Sequence, residues 1–113
     1  MRKSSVWLRH GRELTELPKN IRRSLLSLRS GDLVIDCGAN RGKWSTIFAD
    51  LGAQVIAFEP DPVAFKALEE IALGREGMHV RNSAAGVSDG TVRLYFHTNR
   101  DANPLEYSSG SSL

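Results

Sequence analysis

The sequence predicts an α/β fold built on an open, parallel, doubly wound sheet, of which this chain supplies one half. Short apolar runs that suit strands alternate with apolar stripes of helical spacing, and the connections between them are short. With 113 residues, 41% of them hydrophobic and 25% charged, the chain has the composition of a globular protein and room for one core. We therefore expect a single α/β unit.

The first 30 residues form a basic segment, predicted to be helical. They hold eight of the fifteen Lys and Arg residues but two of the thirteen acidic residues, which gives a charge of +6 against −4 for the remainder. Ile21, Leu25 and Leu28 recur at helical spacing after Pro18, which predicts one amphipathic helix that ends at Gly31. A solvated helix face is the commoner cause of such a charge pattern, so we do not expect a nucleic-acid partner.

The core elements follow in alternation. The continuous apolar run after Asp32 predicts a strand covered on both faces of a parallel sheet. Asp61 and Pro62 are a typical helix start, with an N-cap followed by proline at the first helical position. The predicted order is strand 33–37, a helix with the stripe Trp44, Ile47, Phe48 and Leu51, strand 54–59, a helix with the stripe Ala64, Leu68 and Ile71, and strand 78–82.

Right-handed crossovers place these strands in the spatial order 3-2-1, which is half of a Rossmann-like sheet. One edge of the first strand, residues 33–37, then lacks a neighbour and could pair with a second copy of the chain. Val92, Leu94 and Phe96 alternate with polar residues and predict an extra, half-buried strand. Residues 99–113 are rich in serine and are predicted to be loop or disordered.

Composition also indicates the cellular compartment in which we expect the protein. The single cysteine, Cys37, excludes a disulfide framework within the chain, and no apolar stretch is long enough for a membrane span. The basic start lacks the apolar region of a signal peptide, so we expect a cytoplasmic protein without a membrane partner. His10, His79 and His97 lie far apart and have no metal-ligand spacing, so no metal site is predicted.

Two adjacent strand ends carry the residues of the candidate site. Gly38 and Gly42 flank a tight strand-to-helix turn, where backbone can approach a ligand closely. Glu59 ends the second strand, where a carboxylate can accept hydrogen bonds from both hydroxyls of a ribose. Asp36 suits the cationic amino group of a bound amino acid and repels a pyrophosphate, which favours S-adenosylmethionine over NAD. The G-x-x-x-G spacing also differs from dinucleotide and P-loop motifs.

The segment DLVIDCGANRGKWSTIFADLGAQVIAFEPDP, residues 32–62, resembles the first two cofactor motifs of FkbM-family methyltransferases. AAGVSDGTVRLYF, residues 84–96, is similar to the segment that follows in that family, and the resemblance covers residues 31–113. It divides the chain into the basic helical segment 1–30 and a cofactor-binding domain, 31–113, that ends before the family's catalytic fold is complete. The cofactor implied is S-adenosylmethionine.

The resemblance also implies a role for individual residues. Asp36, Gly38, Asn40 and Gly42 would line the methionine end of the cofactor, and Glu59 would hold the ribose. The adenosine would be flanked by Pro60 and Asp61, with Asn82, Ser83 and Ala84 near the adenine. The implied reaction is methyl transfer to a hydroxyl of a small molecule, such as a sugar or a secondary metabolite. No catalytic base is identified in these residues.

Two other functions stay open at this point. The chain could be a catalytically inactive binding or interaction module derived from a methyltransferase, which pairs through its open sheet edge. Alternatively, residues 2–29 could bind nucleic acid, provided that the basic side chains converge on one surface.

Overall fold

The computed structural model describes residues 3–96, which form four helices and three strands around one parallel sheet. The elements in chain order are α1 (Lys3–Glu16), α2 (Lys19–Leu26), β1 (Leu33–Cys37), α3 (Lys43–Asp50), β2 (Gln54–Phe58), α4 (Pro62–Ala72) and β3 (Met78–Arg81). β2 lies between β1 and β3, so the predicted order 3-2-1 is confirmed. The predicted tail, residues 99–113, lies outside the described residues.

Both crossover helices pack on one face of the sheet. The chain moves in the same direction from β1 to β2 and from β2 to β3, so two right-handed crossovers place α3 and α4 on the same side. The core on that side joins inward-facing strand residues to α4, as in Val55, Ala57, Leu68 and Met78. The half-sheet is therefore covered on one face by its own crossovers.

The other face of the sheet is exposed at β1, contrary to the sequence-based prediction. Leu33 and Ile35 of β1 are 61% and 59% exposed, and Cys37 is exposed as well. The prediction that β1 is covered on both faces is therefore wrong within residues 3–96. The cause is the one-sided placement of the crossover helices, which a continuous apolar run does not reveal. β1 also has an unpaired edge in the described sheet, as predicted.

The N-terminal segment contains two helices where one was predicted. α1 is interrupted by non-helical backbone at His10 (φ −126°, ψ 18°), and α2 ends at Leu26, before Leu28 and Gly31. Val6 and Leu14 of α1 are fully buried with Ile47 and Leu51. This second apolar cluster fixes the basic segment to α3, while the domain boundary at residue 30 stays a prediction.

Within residues 91–96, the predicted extra strand does not form. Residues 91–94 have no regular structure, Tyr95 makes an isolated bridge, and Val92 is 66% exposed. Alternation of apolar and polar residues predicts which face of a strand would be buried, but a strand also needs a hydrogen-bonded neighbour. Within residues 3–96, no helix is both long enough and apolar enough to cross a membrane.

Candidate ligand site at the carboxyl edge of the sheet

The loop of residues 38–42 connects the end of β1 to the start of α3. Gly38 has a φ of +80°, and the amides of Gly38 and Ala39 both donate to the carbonyl of Phe58, at 2.8 and 2.9 Å. Asn40 has a φ of 53°, a left-handed conformation that asparagine tolerates better than most residues. The two bonds to Phe58 hold the loop against the end of β2.

The Glu59 carboxylate joins this loop to the next one. Glu59 is 6% exposed; its Oε1 accepts from the amide of Asn40 at 2.8 Å, and its Oε2 accepts from the amide of Asp61 at 2.7 Å. An ionised carboxylate can accept about four hydrogen bonds, so each oxygen retains a further acceptor position. Glu59 can therefore support both loops and accept hydroxyl groups of a ligand.

Asp36 is held by a residue that the sequence reasoning missed. The fully buried hydroxyl of Ser45, in α3, donates to Asp36 Oδ2 at 2.5 Å. This bond occupies one oxygen of the half-buried carboxylate and fixes its orientation. A serine in the first turn of an amphipathic helix carries no sequence signal for such a contact, because its partner lies on a neighbouring strand.

The two loop glycines have different surroundings. A Cβ added at Gly38 would meet nothing within 4 Å, so a ligand can approach the backbone there. At Gly42, with φ +87°, a Cβ would lie 2.8 Å from Leu68 Cδ1. Gly42 therefore serves the turn and the packing of α4. An open backbone position between two carboxylates fits the cofactor that the sequence predicts.

Residues after β3 border a separate cavity of about 320 Å³. Pro60, Ser83 and Ala84 line it, together with Asn82 and the loop that follows. The side-chain amide of Asn82 donates to the carbonyls of Glu59, at 2.9 Å, and Pro60, at 3.2 Å. The third strand end is thereby joined to the second, while the place of Asn82, Ser83 and Ala84 near adenine stays a prediction.

The carboxylate of Asp61 makes its hydrogen bonds to the backbone of α4. It is fully buried and caps α4, since its Oδ1 accepts from the amides of Val63, at 2.9 Å, and Ala64, at 3.3 Å. The predicted N-cap is confirmed. A buried carboxylate used in this way contributes to a ligand site by fixing the turn at Glu59 and Pro60.

The nine predicted site residues thus fall into two groups at one edge of the sheet. The first is the loop group, with Asp36, Gly38, Asn40, Gly42 and Glu59. The second borders the cavity and consists of Pro60, Ser83 and Ala84, while Asp61 lies beneath the connecting turn. Ser45 is the additional residue that the structure brings to the first group.

No protein-family model matches the chain. Ribosomal RNA large subunit methyltransferase E of Archaeoglobus fulgidus is 43% identical over 53 residues, which is 47% of this chain and 27% of that protein. The 31-O-demethyl-FK506 methyltransferase FkbM of Streptomyces tacrolimicus is 43% identical over 77 residues, which is 64% of this chain and 29% of that protein. The matched region thus spans under a third of the length of these curated relatives.

Among solved structures, P. horikoshii TYW2 in complex with MeSAdo is 32% identical, with a TM-score of 0.48, over 54% of this chain and 25% of that chain. The sequence relatives are methyltransferases, in agreement with the resemblance of residues 32–62 to cofactor motifs. The chain is therefore similar to methyltransferases, and of these two relatives FkbM matches the longer part of it.

Proposed function

We propose that the chain binds S-adenosylmethionine at the carboxyl edge of its sheet and supplies the cofactor-binding half of a methyl-transfer site. The observation that carries this proposal is the convergence of Asp36 and Glu59, from adjacent parallel strands, on a loop with an open backbone position at Gly38. Ligands of open α/β sheets bind at this edge. The methyltransferase relatives support the same cofactor.

Each end of the cofactor would meet a group of suited chemistry. The free oxygen of Asp36 would accept a hydrogen bond from the cationic amino group of the methionine part, while Glu59 would accept from the ribose hydroxyls. Pro60, Ser83 and Ala84 would border the adenine. Bound S-adenosylmethionine supplies an electrophilic methyl group, and the protein contributes mainly the positioning of the reactants.

For the acceptor we propose a hydroxyl group of a small molecule, such as a sugar or a secondary metabolite. The Streptomyces relative is a 31-O-demethyl-FK506 methyltransferase, which favours an oxygen acceptor. Transfer to a hydroxyl gains from a general base, and the proposal assigns none to this chain.

The second candidate is an inactive interaction module derived from a methyltransferase. The exposed Leu33 and Ile35 and the unpaired edge of β1 favour it, because apolar strands of this kind associate readily. A module of this kind would associate with a second copy while binding no cofactor, whereas the leading proposal requires cofactor binding.

Calorimetric titration tests the leading proposal with two ligands, S-adenosylhomocysteine and 5′-methylthioadenosine, which lacks the amino-acid part. We expect the wild type to bind both. Asp36→Asn removes the charge opposite the amino group, a contact worth about 1.5–3 kcal/mol, and should weaken S-adenosylhomocysteine binding about tenfold or more. Its affinity for 5′-methylthioadenosine should stay within about twofold. A folded wild type that binds neither ligand would refute the proposal.

A further inference from the structure

A basic cleft lies on the N-terminal helices, where Lys3 of α1 meets α2. Its volume is about 460 Å³, and it is lined by Lys3, Lys19, Arg22, Arg23, Leu26 and Ser27. Lys19, Arg22 and Arg23 stand at helical positions i, i+3 and i+4, so they share one side of α2. Four cationic side chains therefore line one shallow, open cleft, and none of the described residues that line it is acidic.

These charges are not neutralised within the described part of the chain. Among residues 3–96, no carboxylate lies within 4.0 Å of the basic groups of the cleft. Neither of the two acids of α1 lines this cleft, since Glu16 pairs with Arg12 and Glu13 lines a different cleft. Like charges without counter-charges repel each other. Binding of an anionic partner would therefore lower the free energy of this surface.

One side chain of the cleft is also partly positioned. Arg22 Nη1 donates to the carbonyl of Leu14 at 3.5 Å, a long bond that ties the guanidinium to α1. Its remaining donors can face an anion. Arginine binds phosphate through such a planar set of donors.

The packing of α2 argues against a membrane surface as the anionic partner. A membrane-bound basic helix must present a free apolar face to the lipid. Leu25 and Leu26 instead pack against the cluster shared by α1 and α3. Ile21 is 49% exposed, but it lies about 160° around the helix from Lys19 and Arg23.

We propose that this cleft binds the phosphate backbone of a single nucleic-acid strand. The cleft is open, holds four positive charges and has no aromatic side chain among the described residues that line it, so it would contact phosphates and would not stack on bases. Binding is therefore independent of base sequence and strongly dependent on salt. The sequence led us to expect only a solvated basic helix face. The structure instead places basic side chains of two helices around one cleft.

Fluorescence anisotropy of the full chain tests this inference with a labelled, mixed-sequence, single-stranded RNA of about 16 nucleotides over a range of salt concentrations. The variant Lys19→Ala/Arg22→Ala/Arg23→Ala should bind at least about tenfold more weakly at low salt. Loss of three phosphate contacts should also lower the slope of log affinity against log salt by about 2.

A matched control keeps the net charge equal. The variant Arg12→Ala/Arg29→Ala/Lys66→Ala also removes three exposed cations, all outside the cleft, and should retain most of the affinity and slope. If the first variant does not fold, the single substitution Arg23→Ala, at an exposed position, replaces it in the test. In that variant the slope of log affinity against log salt should fall by about 0.7.

The inference is overturned if the wild type does not bind the RNA at low salt, or if both triple variants lose affinity equally. It is also overturned if the chain binds phosphatidylserine vesicles or an acidic peptide through this cleft and does not bind RNA. Binding of S-adenosylhomocysteine has no part in these outcomes, so the test is separate from that of the cofactor site.

Discussion

Glu59 shows how one residue can serve both the fold and the proposed site. The buried carboxylate accepts backbone amides from the loop before α3 and from the turn before α4, so it holds both walls of the site. The sequence predicts its place at the end of a strand and its suitability for ribose. Its bonds to the backbone of Asn40 and Asp61 could not be predicted, because they depend on the backbone path of two loops.

Replacement of this carboxylate should therefore change two quantities together. In Glu59→Gln, the amide nitrogen would face a backbone N–H, so one bond is lost and two donors oppose each other. We expect the free energy of unfolding to fall by about 1–3 kcal/mol. Affinity for S-adenosylhomocysteine and for 5′-methylthioadenosine should fall by similar factors, because both ligands carry the ribose. Urea unfolding and calorimetry measure these effects, and unchanged affinity for both ligands would remove Glu59 from the ligand site.

Ser45 should affect only the amino-acid end of the ligand. Ser45→Ala removes the hydroxyl that orients Asp36, so S-adenosylhomocysteine affinity should fall severalfold while 5′-methylthioadenosine affinity is unchanged. Ser24→Ala is a matched control, because the Ser24 hydroxyl also makes a hydrogen bond, at 3.1 Å, but on α2. An equal loss for both ligands would mean that Ser45 supports the fold alone.

At the scale of elements, the three strands and the helices α3 and α4 could be predicted because each has a clear periodicity or cap, such as Asp61 before Pro62. The basic segment is helical as predicted, but α1 was not predicted as a separate helix, since the kink at His10 and the neighbouring Gly11 interrupt its apolar pattern. The extra strand was wrongly predicted because periodicity near Val92 says nothing about a strand partner. The local sequence pattern thus predicts which segments form helices and strands better than it predicts what those elements pack against or pair with.

One buried carboxylate connects α3 to α1 and to the turn that follows α4. Asp50 of α3 is 5% exposed; its Oδ2 lies 2.8 Å from His10 Nε2 and 3.7 Å from Arg9 Nη1, and its Oδ1 accepts from Arg75 Nε at 3.4 Å. This cluster could not be predicted from the sequence, because the partners of Asp50 lie 25 to 41 positions away from it along the chain. It ties α1 and the turn after α4 to α3.

Asp50→Ala should destabilise the protein, since it leaves the partly buried His10 and Arg75 without their shared acceptor. We expect the free energy of unfolding to fall by about 2–3 kcal/mol, measured by urea unfolding. Glu16→Ala removes an exposed ion pair and should cost less than about 0.5 kcal/mol. Equal losses in the two variants would contradict a structural role for this cluster.

For the whole molecule, the direction of the two crossovers decides which surface is covered. α3 and α4 share one face, so the apolar residues of β1 are exposed on the other, beside an unpaired edge. The strand order predicts this arrangement, although the apolar run of β1 by itself suggested burial on both faces. Exposed strands of this kind favour association between copies.

We therefore expect the wild type to show an average mass that rises with concentration in light scattering. Ile35→Lys places a charge on the exposed face of β1 and should reduce this association. Leu73→Lys also replaces an exposed apolar residue, 84% exposed at the end of α4, and should leave association unchanged. A constant monomer mass for the wild type, or an equal effect of both variants, would exclude association through this face.

The most direct test of the cofactor site is the change in backbone amide NMR signals of the ¹⁵N-labelled chain when S-adenosylhomocysteine is added. Signals of Gly38, Asn40 and Ser83, at the carboxyl edge of the sheet, should shift and saturate together. Those of Gly31 and Gly52, which bond to each other at the opposite edge, should stay in place. No shifts in a folded protein, or shifts centred on the opposite edge, would contradict the proposed cofactor site.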